Sequence, residues 1–145
     1  MWHFLGALMA HGKSAYPATI GVVTQRDQDR RLLREVCQRE GFDLLWAGSC
    51  EEAISAWVRR RPVMILCDRD IPDLEWRGAI RKLSAAFPVC VILTSPVVDD
   101  YLSIEVARCG GFDVLPTPLR DEHVVRAIKL ASSYSNSLSA RTLGS

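Results

Sequence analysis

The sequence predicts a doubly wound α/β domain built on a parallel sheet. The first observation is an apolar run at residues 63–67, which follows Pro62 and gives way abruptly to Asp68 and Asp70. A continuous apolar run with such flanks is typical of a strand buried on both faces. The second observation is that strand-like and helix-like segments alternate along the chain from Thr19 onward. Such alternation favours parallel strands joined by right-handed crossover helices.

The composition agrees with a single soluble domain. The chain has 145 residues, a hydrophobic content of 48% and a formal net charge of +1 at pH 7, which suits one domain with a proper core. Basic residues are interspersed with acidic ones, so no nucleic-acid surface is expected. The five cysteines form no CxxC pair and no Cys/His cluster at zinc spacing. This pattern favours buried free thiols and a cytoplasmic location.

We divide the chain into three parts. Residues 1–17 are rich in apolar side chains but are short for a secretory core and too short to span a bilayer. We interpret them as an extension or leader, with a partner-binding peptide as the alternative. The domain itself is predicted over residues 18–133. Residues 134–145, and the serines just before them, lack apolar spacing, so we expect a polar, frayed C-terminal tail.

Each predicted strand is followed by a predicted helix. The second helix begins with a Ser49-x-x-Glu52 capping box, and Gly41 is expected to end the first. The predicted strands cover residues 19–23, 42–47, 63–67, 89–93 and 112–115. The inner stripe of the second helix is predicted to comprise Ala53, Ile54, Trp57 and Val58.

Several residues at the ends of the predicted strands follow one another in a specific order. They are Pro62 before the third strand, Asp68 with Ile71-Pro72-Asp73 after it, Thr94-Ser95 at the end of the fourth and Pro118 after the fifth. In this order and spacing the chain resembles the receiver domain of bacterial two-component response regulators, over roughly residues 18–133. The resemblance implies a flavodoxin-like sheet of strand order 2-1-3-4-5. It also implies a site formed by the loops after strands one, three, four and five.

The resemblance implies a role for each position of this site. Asp68 matches the aspartate that a histidine kinase phosphorylates, and Thr94 matches the hydroxyl residue that ends strand four. Other positions depart from the family pattern: Thr24 and Gln25 replace the acidic pair that binds Mg²⁺, Thr117 replaces a lysine, and Val114 replaces the switch aromatic.

These departures have a physical cost. A carboxylate that attacks a phosphoryl donor needs positive charge to offset the anionic oxygens. With Thr24 and Gln25 in place of acids, Mg²⁺ would rely on Asp68 and Asp70, so we expect weak binding of the metal and no other cofactor. Because Thr117 offers no ammonium group, we do not expect a normal phosphorylation rate.

Arg26 and Arg69 bring positive charge close to Asp68 in the sequence. We hypothesise that one of these arginines reaches Asp68 and holds the carboxylate ionised without metal. The alternative is that both guanidinium groups face solvent. Asp70 and Asp27 are candidates for substitute metal ligands, with solvated loop acids or a helix cap as the alternative.

Three functions remain open. The first is a degenerate receiver that binds proteins independently of phosphorylation or with only a loose dependence on it. The second is a working phosphoacceptor at Asp68 under a histidine kinase. The third is a flavodoxin-like flavin protein or enzyme, which the absence of glycine from residues 24–29 disfavours. We rank them in that order and expect no enzymatic activity.

The expected partners are proteins, namely a histidine kinase or an effector, with a homodimer as a further option and no membrane partner. The surface that receivers commonly use is made by the fourth helix, fifth strand and fifth helix. In this sequence it would include Tyr101, Arg108, Arg120, His123 and Arg126. Trp76 would cover the pocket or project toward a partner, unless it packs against Ile71 and Leu74.

Overall fold

The computed structural model describes residues 18–144, with side chains as far as Tyr134, so the predicted extension at residues 1–17 lies outside the described residues. Five strands pair in parallel: β1 (Thr19–Val23), β2 (Asp43–Ala47), β3 (Met64–Asp68), β4 (Cys90–Ser95) and β5 (Asp113–Pro116). Their order across the sheet is β2-β1-β3-β4-β5. The predicted fold class and strand order are confirmed.

A helix follows each strand, and the helices cover both faces of the sheet. They are α1 (Asp27–Glu40), α2 (Cys50–Trp57), α3 (Trp76–Ala86), α4 (Asp100–Arg108) and α5 (Asp121–Gly144). Buried side chains of α2, α3 and α4 share one core cluster with Ile65 and Cys67 of β3. Those of α1 and α5 share the other with Met64 and Leu66. The apolar run therefore feeds both cores because successive strand residues point to opposite faces.

The helix ends follow local sequence signals. Gly41 ends α1 in a left-handed conformation with φ of 80°, which glycine adopts without steric cost. The Ser49 hydroxyl accepts a hydrogen bond from the Glu52 amide, and the Glu52 carboxylate accepts one from the Gly48 amide. The carboxylate of Asp99 caps α4 by accepting from the Leu102 amide at 2.8 Å.

Close packing explains one glycine in the sheet. A Cβ atom added to Gly21 would lie 2.5 Å from the ring of Trp57. Trp57 is among the largest fully buried side chains of the described residues. Glycine at position 21 therefore lets α2 lie directly on β1.

Two sequence predictions differ from the structure. Val58 is 68% exposed instead of belonging to the inner stripe of α2, because that helix ends at Trp57 and the chain turns outward. Helix α5 continues to Gly144 where a frayed tail was predicted. No proline or glycine interrupts residues 121–143, so a helix whose first turns are docked propagates at little cost per residue.

The cysteines and the helix lengths address two further expectations, namely buried free thiols and the lack of a membrane partner. The five cysteines, which all fall in the described part of the chain, are free and buried. Burial raises the pKa of the Cys37 and Cys90 thiols to about 11, which leaves them poor nucleophiles at neutral pH. Among the helices of residues 18–144, none is both long and apolar enough to cross a membrane.

Candidate functional site

Asp68 ends β3 at the carboxyl edge of the sheet. It lies beside Thr94 in the ladder between β3 and β4, and only 4% of the residue is exposed. Its Oδ2 accepts a hydrogen bond from the Thr24 hydroxyl at 3.4 Å, and its Oδ1 accepts one from the Asp70 amide at 3.3 Å. Since parallel strands end at a common edge, the neighbouring loops meet around this carboxylate.

Burial raises the pKa of the Asp68 carboxyl above its ordinary value. The nearby Asp70 carboxylate adds to the rise, while the Asp70 amide, the Arg26 guanidinium and the Thr24 hydroxyl oppose it without cancelling it. The surroundings therefore supply less stabilisation than the ionised form of this buried acid needs.

Thr24 and Gln25 follow β1, and their side chains point in different directions. Thr24 is buried, and its hydroxyl both donates to Asp68 and accepts from the Arg26 amide at 3.0 Å. Gln25 is exposed, and its side-chain amide donates to the Gly48 carbonyl at 3.3 Å. Only Thr24 therefore contributes to the surroundings of Asp68.

Arg26 forms its ion pair with Asp29. Its Nε lies 2.9 Å from Asp29 Oδ2, on the first turn of α1. Asp29 is 3% exposed, and its other oxygen accepts a hydrogen bond from the Leu119 amide at 3.2 Å. A carboxylate three residues away on the same helix face competes directly for this guanidinium.

Arg69 forms its ion pair with Asp70. The two side chains meet at 3.3 Å, and Arg69 also donates to the Ser95 hydroxyl at 3.4 Å. The hypothesised ion pair with Asp68 is therefore not among the ion pairs of residues 18–144, for Arg26 or for Arg69. Arg69 is instead held by Asp70 and Ser95.

Asp29 is a residue that the sequence analysis missed. It lies in the polar first turn of α1, where the helix dipole favours an acid, so its presence there did not suggest any other role. Its spacing from Leu33 and Val36 nevertheless places it on the buried stripe of that helix. An acid in register with an apolar stripe was the signal that could have found it.

Asp73 is a second residue with an unpredicted contact. Its carboxylate accepts hydrogen bonds from the Cys50 and Glu51 amides at 3.1 and 3.0 Å. Although burial raises the pKa of Asp73, these amide bonds lower it more, and the net shift is downward. Asp73 thus ties the loop after β3 to the start of α2.

Thr117 and Val114 occupy positions where the resemblance implies a lysine and an aromatic. Thr117 is buried, and its hydroxyl oxygen has no hydrogen-bond partner among the described residues. Val114 is buried in the core cluster of α2, α3 and α4. Neither side chain can place a positive charge beside a phosphoryl group.

The residues around Asp68 do not fit a Mg²⁺ site. Asp70 is turned to Arg69 with 64% of its side chain exposed, and the Asp27 side chain is exposed at the start of α1. Both oxygens of Asp68 already accept hydrogen bonds. Within the described part of the chain, no three acidic, histidine or cysteine side chains are grouped as metal ligands. Mg²⁺ keeps several waters and is usually held by one or two carboxylates, and here Asp70 and Asp27 form ion pairs with Arg69 and Arg30.

Trp76 belongs to the protein core. It is buried in the same cluster as Ile71, and Leu74 packs against that cluster. The guanidinium group of Arg77 lies 4.4 Å from the centre of the Trp76 ring. The packing alternative is therefore confirmed, and the ring is not available to project toward a partner.

The surface formed by α4, β5 and α5 includes or adjoins seven of the eight large hydrophobic side chains that are exposed in the described residues. We call it the α4–β5–α5 face. Its predicted members Tyr101, Arg108, Arg120 and Arg126 are exposed and His123 is half-buried. Exposed apolar side chains on or beside it are Val97, Val98, Tyr101, Ile104, Phe112, Leu130 and Tyr134. Such a concentration of apolar exposure is a property of docking surfaces.

Comparisons with known proteins agree with this geometry. No family model matches the chain. The probable transcriptional regulatory protein TcrX of Mycobacterium tuberculosis is 27% identical over 116 residues, which cover 78% of this chain and 49% of that protein. The chain thus spans about half the length of this curated relative.

Solved structures extend the similarity to the fold. A two-component response regulator from Clostridium difficile superposes with a TM-score of 0.73 at 18% identity, over 80% of this chain and 96% of that one. A CheY-like response regulator receiver domain protein from Methanospirillum hungatei gives 0.74 at 16% identity, over 83% and 98%. The predicted resemblance to receiver domains is confirmed.

Proposed function

We propose that the chain is a receiver domain of the response regulator type and that it works as a protein-interaction module of two-component signalling. In this proposal the module works independently of phosphorylation or is phosphorylated only weakly. It has no enzymatic activity of its own, acts in the cytoplasm, and binds an effector protein or a histidine kinase through the α4–β5–α5 face. A second copy of the chain is a further candidate for that face.

The engagement of the guanidinium groups near Asp68 with other acceptors, within the described residues, carries this proposal. Thr24 and Thr117 offer hydroxyl groups where the family has an acid and a lysine. Arg26 is paired with Asp29 and Arg69 with Asp70, and Arg30 donates to the Thr24 carbonyl at 2.7 Å. Phosphoryl transfer is catalysed almost entirely by positioning and by charge stabilisation. Asp68 lacks an ammonium group at position 117 and an acidic pair at positions 24 and 25, so little of that charge stabilisation is available to it.

The test is intact-mass analysis after incubation with acetyl phosphate and Mg²⁺. We expect no phosphoryl adduct, or a trace, on the wild-type chain at Mg²⁺ concentrations that saturate ordinary receivers. The Asp68→Asn variant run in parallel identifies any adduct that resides on another residue. A stoichiometric adduct that disappears in this variant would overturn the proposal.

A restored pocket provides the matched positive control. The triple variant Thr24→Asp, Gln25→Asp and Thr117→Lys puts back the charges that the family pattern calls for. If their absence is what limits the chemistry, this variant gains a phosphoryl adduct that the wild type lacks, and Asp68→Asn in the same background removes it. A restored pocket that stays unmodified would show that another feature blocks Asp68.

A working phosphoacceptor is the second candidate function. The position of Asp68 at the end of β3, next to the hydroxyl of Thr94, favours it. The same mass measurement decides between the two, because this candidate requires a wild-type adduct. The flavin alternative is tested separately by the absorbance of the purified protein at roughly 450 nm, where bound flavins absorb and the polypeptide does not.

A further inference from the structure

A chain of hydrogen bonds, continued through the side chain of Arg26, leads from Asp68 to Leu119, two residues before α5 begins. The Thr24 hydroxyl donates to Asp68 at 3.4 Å and accepts from the Arg26 amide at 3.0 Å. The Arg26 guanidinium then donates to Asp29 at 2.9 Å. Asp29 accepts from the Leu119 amide at 3.2 Å, across 90 positions of sequence. We call these residues the Asp29 relay.

Most of the Asp29 relay is buried. Thr24, Asp29, Asp68 and Leu119 are buried, and Arg26 is the one partly exposed member, at 37% of its side chain. A buried polar group that loses its partner bears a desolvation cost, because water cannot readily replace the bond. A change at one member is therefore passed on as a rearrangement of its neighbour and is not absorbed by solvent.

The alternative path through the sheet has no polar connection. Thr94 stands beside Asp68, but the facing position in β5 holds Leu115, whose side chain can neither donate nor accept a hydrogen bond. A small cavity instead lies against the relay, lined by Thr24, Asp29, Leu33, Asp68, Thr94 and Leu119.

We propose that the Asp29 relay couples Asp68 to the start of α5, and that Asp29 is its positioning residue. A change at Asp68 then displaces Arg120 and His123 on the α4–β5–α5 face. This inference rests on the proposed function, since it gives that face its regulatory input. The input can be any event that alters the Asp68 carboxylate, including contact with a partner protein.

The physical step is a choice made by one hydroxyl group. The Thr24 hydroxyl has a single proton to donate, and at present it points to Asp68. When that acceptor is lost, the hydroxyl turns, and the hydrogen bond that it accepts from the Arg26 amide changes with it. Arg26 and Asp29 share an ion pair, so the displacement reaches the Leu119 amide.

The experiment measures backbone amide chemical shifts in the full chain without phosphorylation. Asp68→Asn is introduced into four backgrounds: wild type, Thr24→Val, Asp29→Leu and Thr94→Val. In the wild type we expect the Asn substitution to displace the amide signals of Leu119 and Arg120. In Thr24→Val and in Asp29→Leu these displacements are lost, and in Thr94→Val they persist.

Any of three outcomes would overturn the coupling. One is a wild-type spectrum in which Asp68→Asn leaves the Leu119 and Arg120 signals in place. A second is a displacement of equal size in the Asp29→Leu background, which would mean that the effect travels by another route. Loss of the displacement in Thr94→Val alone would assign the route to β4 and would equally contradict the proposal.

Hydrogen exchange gives a readout that separates coupling from simple stability. In Asp29→Leu the Leu119 amide loses its acceptor, so its exchange is expected to accelerate about tenfold. Global stability need not fall, since an apolar side chain of similar size replaces a buried charge. Asp121→Asn is the control, because it removes the Arg39–Asp121 ion pair between α1 and α5 and leaves the Asp29 relay intact. Unchanged protection of Leu119 in Asp29→Leu would refute the role of Asp29.

The coupling and the proposed function can fail separately. The acetyl phosphate measurement reports whether Asp68 reacts, whatever the amide signals do. The chemical shifts report whether α5 responds to Asp68, whether or not a phosphoryl group ever forms. A reactive Asp68 with an intact relay would keep this inference and remove the proposed function.

Discussion

Two arginine–aspartate pairs flank Asp68, and they differ in burial much more than in length. The Arg26–Asp29 pair joins at 2.9 Å with 3% of the acid exposed, whereas the Arg69–Asp70 pair joins at 3.3 Å with 64% of the acid exposed. Asp29 also binds the Leu119 amide in a distant loop. The first pair is therefore part of the tertiary structure, and the second is a surface contact.

The comparison teaches that the same two residue types have opposite consequences at the two sites. Removing one partner of a buried pair leaves an uncompensated charge in a poorly solvated place. Removing one partner of an exposed pair leaves a charge that water solvates at once. Four substitutions at or near Asp68 test this contrast, and their expected effects on stability decrease from the buried pair to the exposed one.

The largest effect is expected from Arg26→Gln. Asp29 would keep its bond from Leu119 but lose its counter-ion, at a cost of about 2 kcal/mol, below the full penalty because Arg26 is itself partly exposed. Chemical denaturation measures this as a lower midpoint at unchanged slope. The matched control is Arg69→Gln, and equal midpoints for the two variants would break the comparison.

Asp73→Ala is expected to have an intermediate effect. The carboxylate is exposed, yet it caps α2 through two amide bonds, and loss of such a cap costs about 1 kcal/mol. Because the folded pKa is lowered, this stabilisation is present above the ordinary carboxyl pKa and is lost as the pH falls through the folded value. Denaturation of wild type and Asp73→Ala should therefore converge in acid, and Asp73→Asn should retain most of the stability at neutral pH.

Asp68→Asn is expected to stabilise the fold slightly at neutral pH. The pKa of this buried acid is raised, so the folded state binds its proton more tightly than the unfolded state does, and stability falls as the pH rises through that window. Above the window the wild type carries the full cost of the buried charge, which the amide avoids. Thermal melts at neutral and acidic pH check the sign, and a variant that melts below wild type at neutral pH would contradict it.

Asp70→Asn is expected to have the smallest effect. Its ion pair with Arg69 is exposed, and such pairs contribute less than about 0.5 kcal/mol in most cases. A melting temperature indistinguishable from that of the wild type in moderate salt is the expected result. A clear loss of stability would show that the Arg69–Asp70 pair holds the loop after β3 and is more than a surface contact.

The parts of the site that could be predicted depend on local patterns. Asp68 was found because a buried strand ends there, and Thr94 because the next strand ends in register with it. The partners of Arg26 and Arg69 could not be predicted in this way. Which acid a long side chain reaches depends on its rotamer and on competing acceptors nearby.

Asp29 shows where local patterns stop. Its position on the apolar stripe of α1 is visible in the sequence, but its hydrogen bond to Leu119 spans 90 positions. Likewise Val58 has the right spacing for the core and lies outside it, because the last turn of α2 ends one residue earlier. Periodicity sets the face on which a residue falls, and the surrounding chain sets whether that face continues.

The sequence by itself determined the parallel sheet and the place of Asp68, since alternating strands and helices permit few topologies. The strand order followed from the resemblance to receiver domains. Tertiary structure alone decided which charges meet at the edge of that sheet. Residues such as Asp29 and Leu119 are brought together only after β1, β5 and their helices have packed. Contacts of that kind depend on distance in space, and chain order does not encode them.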